Sequence, residues 1–240
     1  MEYFTNRHGL QLAYYMSIKY PEVKKIYLIC PMWPSELFFL SEFIFEHLDA
    51  NTFKIDITGS GNSQGEHSYA GFIRDSADID DAVKFLTSRD YKVEGIIGQY
   101  KPAISSIIYS ALYGDVKTII SISPRYNMMD LPVFLQDVNE LLMENSKAIH
   151  RGLGREWICS REEMDEFRNL DMKYYCERVK GDIYIIHGDA DTFCSPSDAQ
   201  EYLKELKEKC KGIYTLNSDQ FFIGVFDEIV EIIEKIISNN

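Results

Sequence analysis

Apolar and polar positions follow two alternating rhythms along this chain. Short, nearly unbroken apolar runs recur at Lys25–Cys30, Phe53–Ile57, Val93–Ile97, Thr118–Ile122, Asp182–Ile186 and Gly212–Leu216. Runs of this length and β-branched content suit parallel strands covered on both faces. Between them the spacing changes to that of a helix. Ile79, Ala82, Val83 and Leu86 fall at i, i+3, i+4 and i+7, as do Phe226, Ile229, Val230 and Ile233, with Ile236 and Ile237 continuing the stripe. Pro102 and Pro196 each stand near the start of a predicted helix, over 102–112 and 196–206, where the missing N–H costs nothing. The first residues, up to about Tyr15, read as a hairpin around Asn6-Arg7-His8-Gly9. Strand–helix alternation predicts an α/β fold: a doubly wound, mainly parallel sheet with right-handed crossovers.

One interval departs from this rhythm. Between Pro124 and Val179 the pattern offers no strand, only helical pieces such as Val133 to Ala148 and Arg161 to Asn169. An insertion after a strand's carboxyl end sits over the ligand crevice of an open α/β sheet. The expectation is therefore one domain over residues 1–240, with residues 125–178 inserted in it as a helical lid.

Charge narrows the partners. The 240 residues include 38 Asp+Glu against 25 Lys+Arg, a formal net charge of −13. Phosphate binding needs a basic face, so a nucleic-acid or anionic-membrane binder is not expected. No apolar run approaches the roughly 18 residues of a membrane span, and Met1-Glu2-Tyr3-Phe4 lacks the basic and apolar regions of a signal peptide. The five cysteines, Cys30, Cys159, Cys176, Cys194 and Cys210, are odd in number, scattered, and form no Cys-x-x-Cys. They are expected as reduced thiols in a cytoplasmic protein.

Three loops carry candidate chemistry. Asp56-Ile57-Thr58-Gly59-Ser60-Gly61-Asn62-Ser63-Gln64-Gly65 resembles the D-x-R-G-x-G-x-S-x-G loop of α/β-hydrolases. Ile185-Ile186-His187-Gly188-Asp189-Ala190-Asp191 resembles the strand and loop that bear that family's catalytic acid, and Tyr91 to Lys101 its strand and nucleophile elbow. With the lid, the resemblance covers nearly the whole chain. It is similar in particular to serine-aminopeptidase-like, monoglyceride-lipase-like and feruloyl-esterase-like members. The family's chemistry uses Ser, Asp and His in that chain order: the imidazole takes the serine proton and the acid fixes the imidazole.

Carried onto this sequence, the resemblance implies a degenerate triad. The elbow reads Gly98-Gln99-Tyr100-Lys101-Pro102, with Tyr100 in the nucleophile position and Pro102 in place of the second glycine. A bulky residue is poorly suited to a positive φ, so a relaxed turn is expected. The phenol, with a pKa of about 10, needs strong activation to attack. Asp191 occupies the acid position; as a plain loop carboxylate it would cap the helix beginning near Pro196. The base position, in Asn217-Ser218-Asp219-Gln220-Phe221-Phe222, holds Gln220, whose amide accepts no proton near neutral pH. The oxyanion loop reads Cys30-Pro31-Met32-Trp33-Pro34, which leaves the backbone N–H groups of Met32 and Lys101 as its donor equivalents. Trp33, Gln99, Tyr100, Asp191 and Gln220 are the ligand-binding candidates.

Rival constellations are weaker. Gly61-Asn62-Ser63-Gln64-Gly65 matches G-x-S-x-G but lacks the strand-to-helix context, even with His67 nearby. The same glycines miss dinucleotide-binding spacing by one residue. The histidines, His8, His47, His67, His150 and His187, show no metal-binding spacing, so neither a metal nor another cofactor is expected. The reading is a hydrolase-like protein without a working triad that binds a small apolar or acyl-type ligand or a protein partner. The alternative is an active esterase, lipase or peptidase using residues not placed here.

Overall fold

The computed structural model describes residues 1–32, 39–129, 147–152 and 155–239. The chain opens with the antiparallel pair β1 (Glu2–Thr5) and β2 (Gln11–Ser17), whose turn is the expected Asn6–Gly9 segment. It continues through β3 (Lys25–Cys30), α1 (Leu40–His47), β4 (Thr52–Ile55), α2 (Phe72–Thr87), β5 (Lys92–Gln99), α3 (Lys101–Leu112) and β6 (Thr118–Ile122). After an outlying segment come β9 (Asp182–Gly188), α6 (Asp198–Leu206), β10 (Cys210–Leu216) and α7 (Phe226–Ser238). These strands form one eight-stranded sheet in the order β1-β2-β4-β3-β5-β6-β9-β10. β1–β2 and β2–β4 are antiparallel and the remaining pairs parallel.

Continuous apolar runs follow from burial of both faces. Along β3, Ile26, Leu28 and Cys30 enter the core on one side with α2 and α3, while Ile29 enters the other with Leu40 and Ile44 of α1 and Ile229 and Ile233 of α7. Successive side chains of a strand point to opposite faces, so each run feeds two cores at once. Truncating one of these isoleucines to alanine costs about 2–5 kcal/mol. No described helix is long and apolar enough to cross a membrane.

The interval between β6 and β9 departs from the expectation of a purely helical insert. It contains a second, two-stranded antiparallel sheet of β7 (Lys147–Gly152) and β8 (Arg155–Ser160). Of the helix expected over 133–148, residues 133–146 lie outside the described residues, and Lys147 and Ala148 are strand. The other expected helix is present as α4 (Arg161–Arg168), followed by α5 (Met172–Cys176). A capping box starts α4: the Glu163 N–H donates to Ser160 Oγ at 3.1 Å and the Ser160 N–H to Glu163 Oε2 at 2.9 Å. This helix is tied to the body. The Gly71 N–H, at the entrance to α2, donates to Glu166 Oε1 at 3.0 Å, and the Phe72 and Phe167 rings lie 5.7 Å apart.

Candidate functional site

The elbow sits where β5 turns into α3. Gly98 is required there, because an added Cβ would lie 2.5 Å from the Pro102 carbonyl oxygen. Tyr100 then takes φ 57° and ψ −114°, and its N–H donates to Ile122 O on β6 at 2.8 Å. The expected relaxed turn is therefore absent. The tight strand-to-helix connection imposes a positive φ whichever side chain it carries, at a cost of about 1–3 kcal/mol for a non-glycine residue.

From this elbow the Tyr100 side chain, 5% exposed, crosses to two other loops. Its hydroxyl shares its one proton between the backbone oxygen of Gln220 at 2.7 Å and Asp191 Oδ2 at 3.1 Å. Asp191 is held from its other side, where Oδ1 accepts the N–H groups of Phe193 at 2.8 Å and Cys194 at 2.9 Å. The carboxylate thus organises its own loop; it does not cap α6, which begins at Asp198. The Gln220 side chain also turns toward that loop, its Oε1 accepting from Thr192 N at 3.3 Å and Thr192 Oγ1 at 3.2 Å. A Cβ on Gly188 would stand 2.4 Å from Ser218 O, so the bare backbone of Gly188 lets the 189–194 and 217–225 loops meet.

Burial and the Asp191 charge both push the Tyr100 phenol above its ordinary pKa, so it stays protonated and donates. His187, 1% exposed, places Nε2 at 3.1 Å from Cys194 O and 3.6 Å from Asp191 Oδ2. Its Nδ1 has no hydrogen-bond partner among the described residues. Ser123, at φ 49°, closes the floor, its N–H donating to Ile186 O at 2.8 Å. Phe193 lies beside Tyr100, ring centroids 6.2 Å apart, and Phe221 stands edge-on to Phe193 at 5.9 Å.

The remaining predicted residues spread outward. Gln99 is buried, but its Oε1 accepts from Ser41 Oγ on α1 at 3.0 Å rather than joining Asp191. Lys101 sends Nζ to Asp75 Oδ2 at 2.6 Å and Ser68 O at 2.8 Å. Burial pulls its pKa down and Asp75 opposes that pull. Its backbone N–H opens α3 and so has no intrahelical acceptor. Met32 ends a described segment, half-buried, and Trp33 lies outside the described residues. Ser63 is absorbed in structure: Oγ accepts from Ala13 N at 2.8 Å and donates to Asp56 O. Burial, reinforced by Lys101 and Arg74, pushes the His67 pKa down to about 2. All five cysteines are free thiols.

The sequence reading missed Thr192, Phe193 and His187 as members of this cluster. Position alone was a usable signal, since all three lie within four residues of Asp191.

One sheet order, an elbow at the end of β5, an acid loop after β9 and a long insertion after β6 decide the architecture. The fold is that of the α/β-hydrolases. No protein-family model matches the chain, and no curated protein matches its sequence. Solved structures with this fold do. Est1E from Butyrivibrio proteoclasticus, determined with ferulic acid bound, is 16% identical with a TM-score of 0.76, over 100% of this chain and 98% of that one. The Pyrococcus furiosus esterase Pf2001 is 16% identical with a TM-score of 0.69, over 99% and 90%. A candidate α/β-hydrolase from Agrobacterium tumefaciens, of unknown function, is 20% identical with a TM-score of 0.64, over 98% and 94%.

Proposed function

We infer that this chain is a non-catalytic protein built on the α/β-hydrolase fold, which keeps the crevice for binding rather than bond cleavage. The observation that carries the reading is the Tyr100 hydroxyl on Asp191 Oδ2 at 3.1 Å. A protonated phenol is a poor nucleophile, and Gln220 supplies no base to activate it. The acid therefore holds a hydroxyl instead of orienting an imidazole. The occupant is a small apolar or acyl-type molecule or a protein partner. The 125–178 insert acts as the lid of a single domain. Scattered free thiols favour a cytoplasmic setting, and the net charge of −13 disfavours nucleic acid.

Fluorophosphonate labelling and hydrolysis of short p-nitrophenyl esters test this reading. No labelling at Tyr100 and no turnover above a heat-treated control are expected. Turnover abolished by a point change in the chain's own residues would overturn it. An active hydrolase of esters or amides is the second reading. It is favoured by the elbow's φ of 57°, a strain that α/β-hydrolases use to present a nucleophile.

A further inference from the structure

We propose that the rim of the crevice around Phe39, Phe221 and Ile223 is a docking surface, and that it takes a protein partner presenting a basic amphipathic segment, with apolar anchors along one side and Lys or Arg along the other. The inference rests on the non-catalytic reading and adds the partner's chemistry.

The apolar part is built where the loop between β10 and α7 meets the start of α1. Phe222 of that loop is buried in one cluster with Leu40 and Ile44 of α1, and Phe43 and Phe226 pack against the cluster with their rings 5.4 Å apart. The two neighbours of Phe222 stay outside it: Phe221 is 36% exposed and Ile223 78%. Phe39 lies one helical turn before Phe43, whose N–H donates to Phe39 O at 2.9 Å, and is 68% exposed. Phe221 stands edge-on to Phe193, so the exposed rim runs on into the aromatic ring beside Tyr100. Single exposed apolar residues are ordinary, but three large ones on adjoining segments at the mouth of a crevice mark an interaction site.

Charge identifies what covers it. No Lys or Arg occurs over residues 26–53, 181–203 or 212–234, the stretches that supply α1, the Asp191 loop, and the loop after β10 with the start of α7. Exposed carboxylates flank the rim instead. Asp219 Oδ1 accepts the Phe221 N–H at 2.8 Å, Asp189 Oδ1 accepts the Ser218 N–H at 3.2 Å, and Asp227 and Glu228 stand in the first turn of α7. The cations gather at the other end of the parallel strands. Lys25, Lys92 and Lys211 lie within the first two residues of β3, β5 and β10, and Lys117 and Lys180 just before β6 and β9. In a chain of net charge −13, this polarity concentrates negative potential at the crevice mouth. A basic partner is drawn there and oriented, whereas an anionic lipid surface or an acidic protein is repelled. An apolar stripe on the same partner then covers Phe39, Phe221 and Ile223, as an amphipathic helix covers an apolar groove.

The test uses a fluorescein-labelled peptide of about 18 residues, built of Leu and Lys with Leu at helical spacing. Its controls are a scrambled peptide of the same composition and a counterpart with Glu for Lys. Fluorescence anisotropy follows binding to the full chain, to Phe221→Ser with Ile223→Ser, to Asp227→Asn with Glu228→Gln, and to Leu112→Ser. Leu112, 40% exposed, ends α3 at the opposite end of the sheet and serves as the distant control. The expected result is saturable binding by the full chain, about tenfold weaker in the double serine variant, several-fold weaker without the two carboxylates, unchanged in Leu112→Ser, and weaker as salt rises. Circular dichroism confirms that each variant is folded, and Phe39→Ser replaces the double serine variant if that one is not. No saturable binding, equal binding of the scrambled or Glu peptide, or an affinity indifferent to the serine changes would each overturn the proposal. So would binding to phosphatidylcholine vesicles, or self-association, that the serine changes abolish, because the rim would then serve a lipid surface or a second copy of this chain. Ester turnover would instead overturn the non-catalytic reading, whatever the peptide does.

Discussion

Lys101 Nζ stands 2.6 Å from Asp75 Oδ2, a carboxylate whose side chain is wholly buried beneath the first turn of α2. The pair joins α2 to the residue that follows the elbow, and Arg74 lies 3.3 Å from the other Asp75 oxygen. Removing one partner of a buried pair leaves an uncompensated charge, at a cost of about 3–5 kcal/mol. Lys101→Met should therefore destabilise the fold by about 3 kcal/mol, at the low end because Arg74 remains. Adding Asp75→Leu should recover most of that loss. Urea unfolding of the two single variants and the double variant checks the coupling; additive losses would show that the pair is not a unit.

Tyr100→Phe keeps the ring and removes the donor, leaving Asp191 Oδ2 and Gln220 O without it. An unmet buried acceptor costs about 1–3 kcal/mol, and a loss of that size is expected in chemical denaturation. A more stable Tyr100→Phe would mean that this shared hydrogen bond does not outweigh the desolvation of the hydroxyl.

Acid should weaken the fold through His67. Its folded-state pKa is depressed to about 2, chiefly by burial, whereas in the unfolded chain it titrates near 6.5. The unfolded state therefore binds the extra proton first. The stability is intact above about pH 6.5 and is lost as pH falls toward 2, by at most about 1.4 kcal/mol per unit. Between pH 7 and 5, His67→Gln should show a flatter stability profile than the unaltered chain. Asp78, raised by burial, acts in the opposite sense, its contribution being lost as pH rises, so the comparison is best read above its range.

On the non-catalytic reading, a working triad would need both a serine and an imidazole. Tyr100→Ser and Gln220→His, made singly, should leave ester hydrolysis at background, because a triad acts as a unit. The double variant should turn over weakly at most. On that reading Pro102 and the Cys30-Pro31 loop also depart from the family's oxyanion-donor pattern, and losing one such donor costs about 2.7–4 kcal/mol. Steady-state assays with p-nitrophenyl acetate decide it; a single variant as active as the double would refute the unit.

The start of α4 offers a local check. Ser160→Ala removes the side-chain half of its capping box and should cost about 1 kcal/mol. Amide exchange should quicken over residues 161–164 and remain unchanged in β5.

What could be read from the sequence followed a physical division. β3 and β6 were legible to the residue, because strands buried on both faces print continuous apolar runs. β7 and β8 were not, because Lys147-Ala148-Ile149-His150-Arg151-Gly152 and Arg155-Glu156-Trp157 mix charge with apolar residues in the manner of a short antiparallel pair. α1 was missed for a similar reason: Leu40-Ser41-Glu42-Phe43-Ile44-Phe45 reads as readily as a strand. At the site, residue identities located the three loops but not their conformation. Side-chain preference argued against a positive φ at Tyr100, whereas the close packing of Gly98 on Pro102 enforces one. Contacts such as Thr192 to Gln220 join loops separate in sequence, and no local pattern announces them.

The reach of Tyr100 across the loops also constrains the routes this sequence can take under selection. While the ring is present, an imidazole arriving at position 220 competes for the place that the phenol holds on Asp191. If the ring is lost first, the acid is left facing a hole. Each single step loses a contact that its partner change has not yet replaced, so the two positions are coupled and favour changing together.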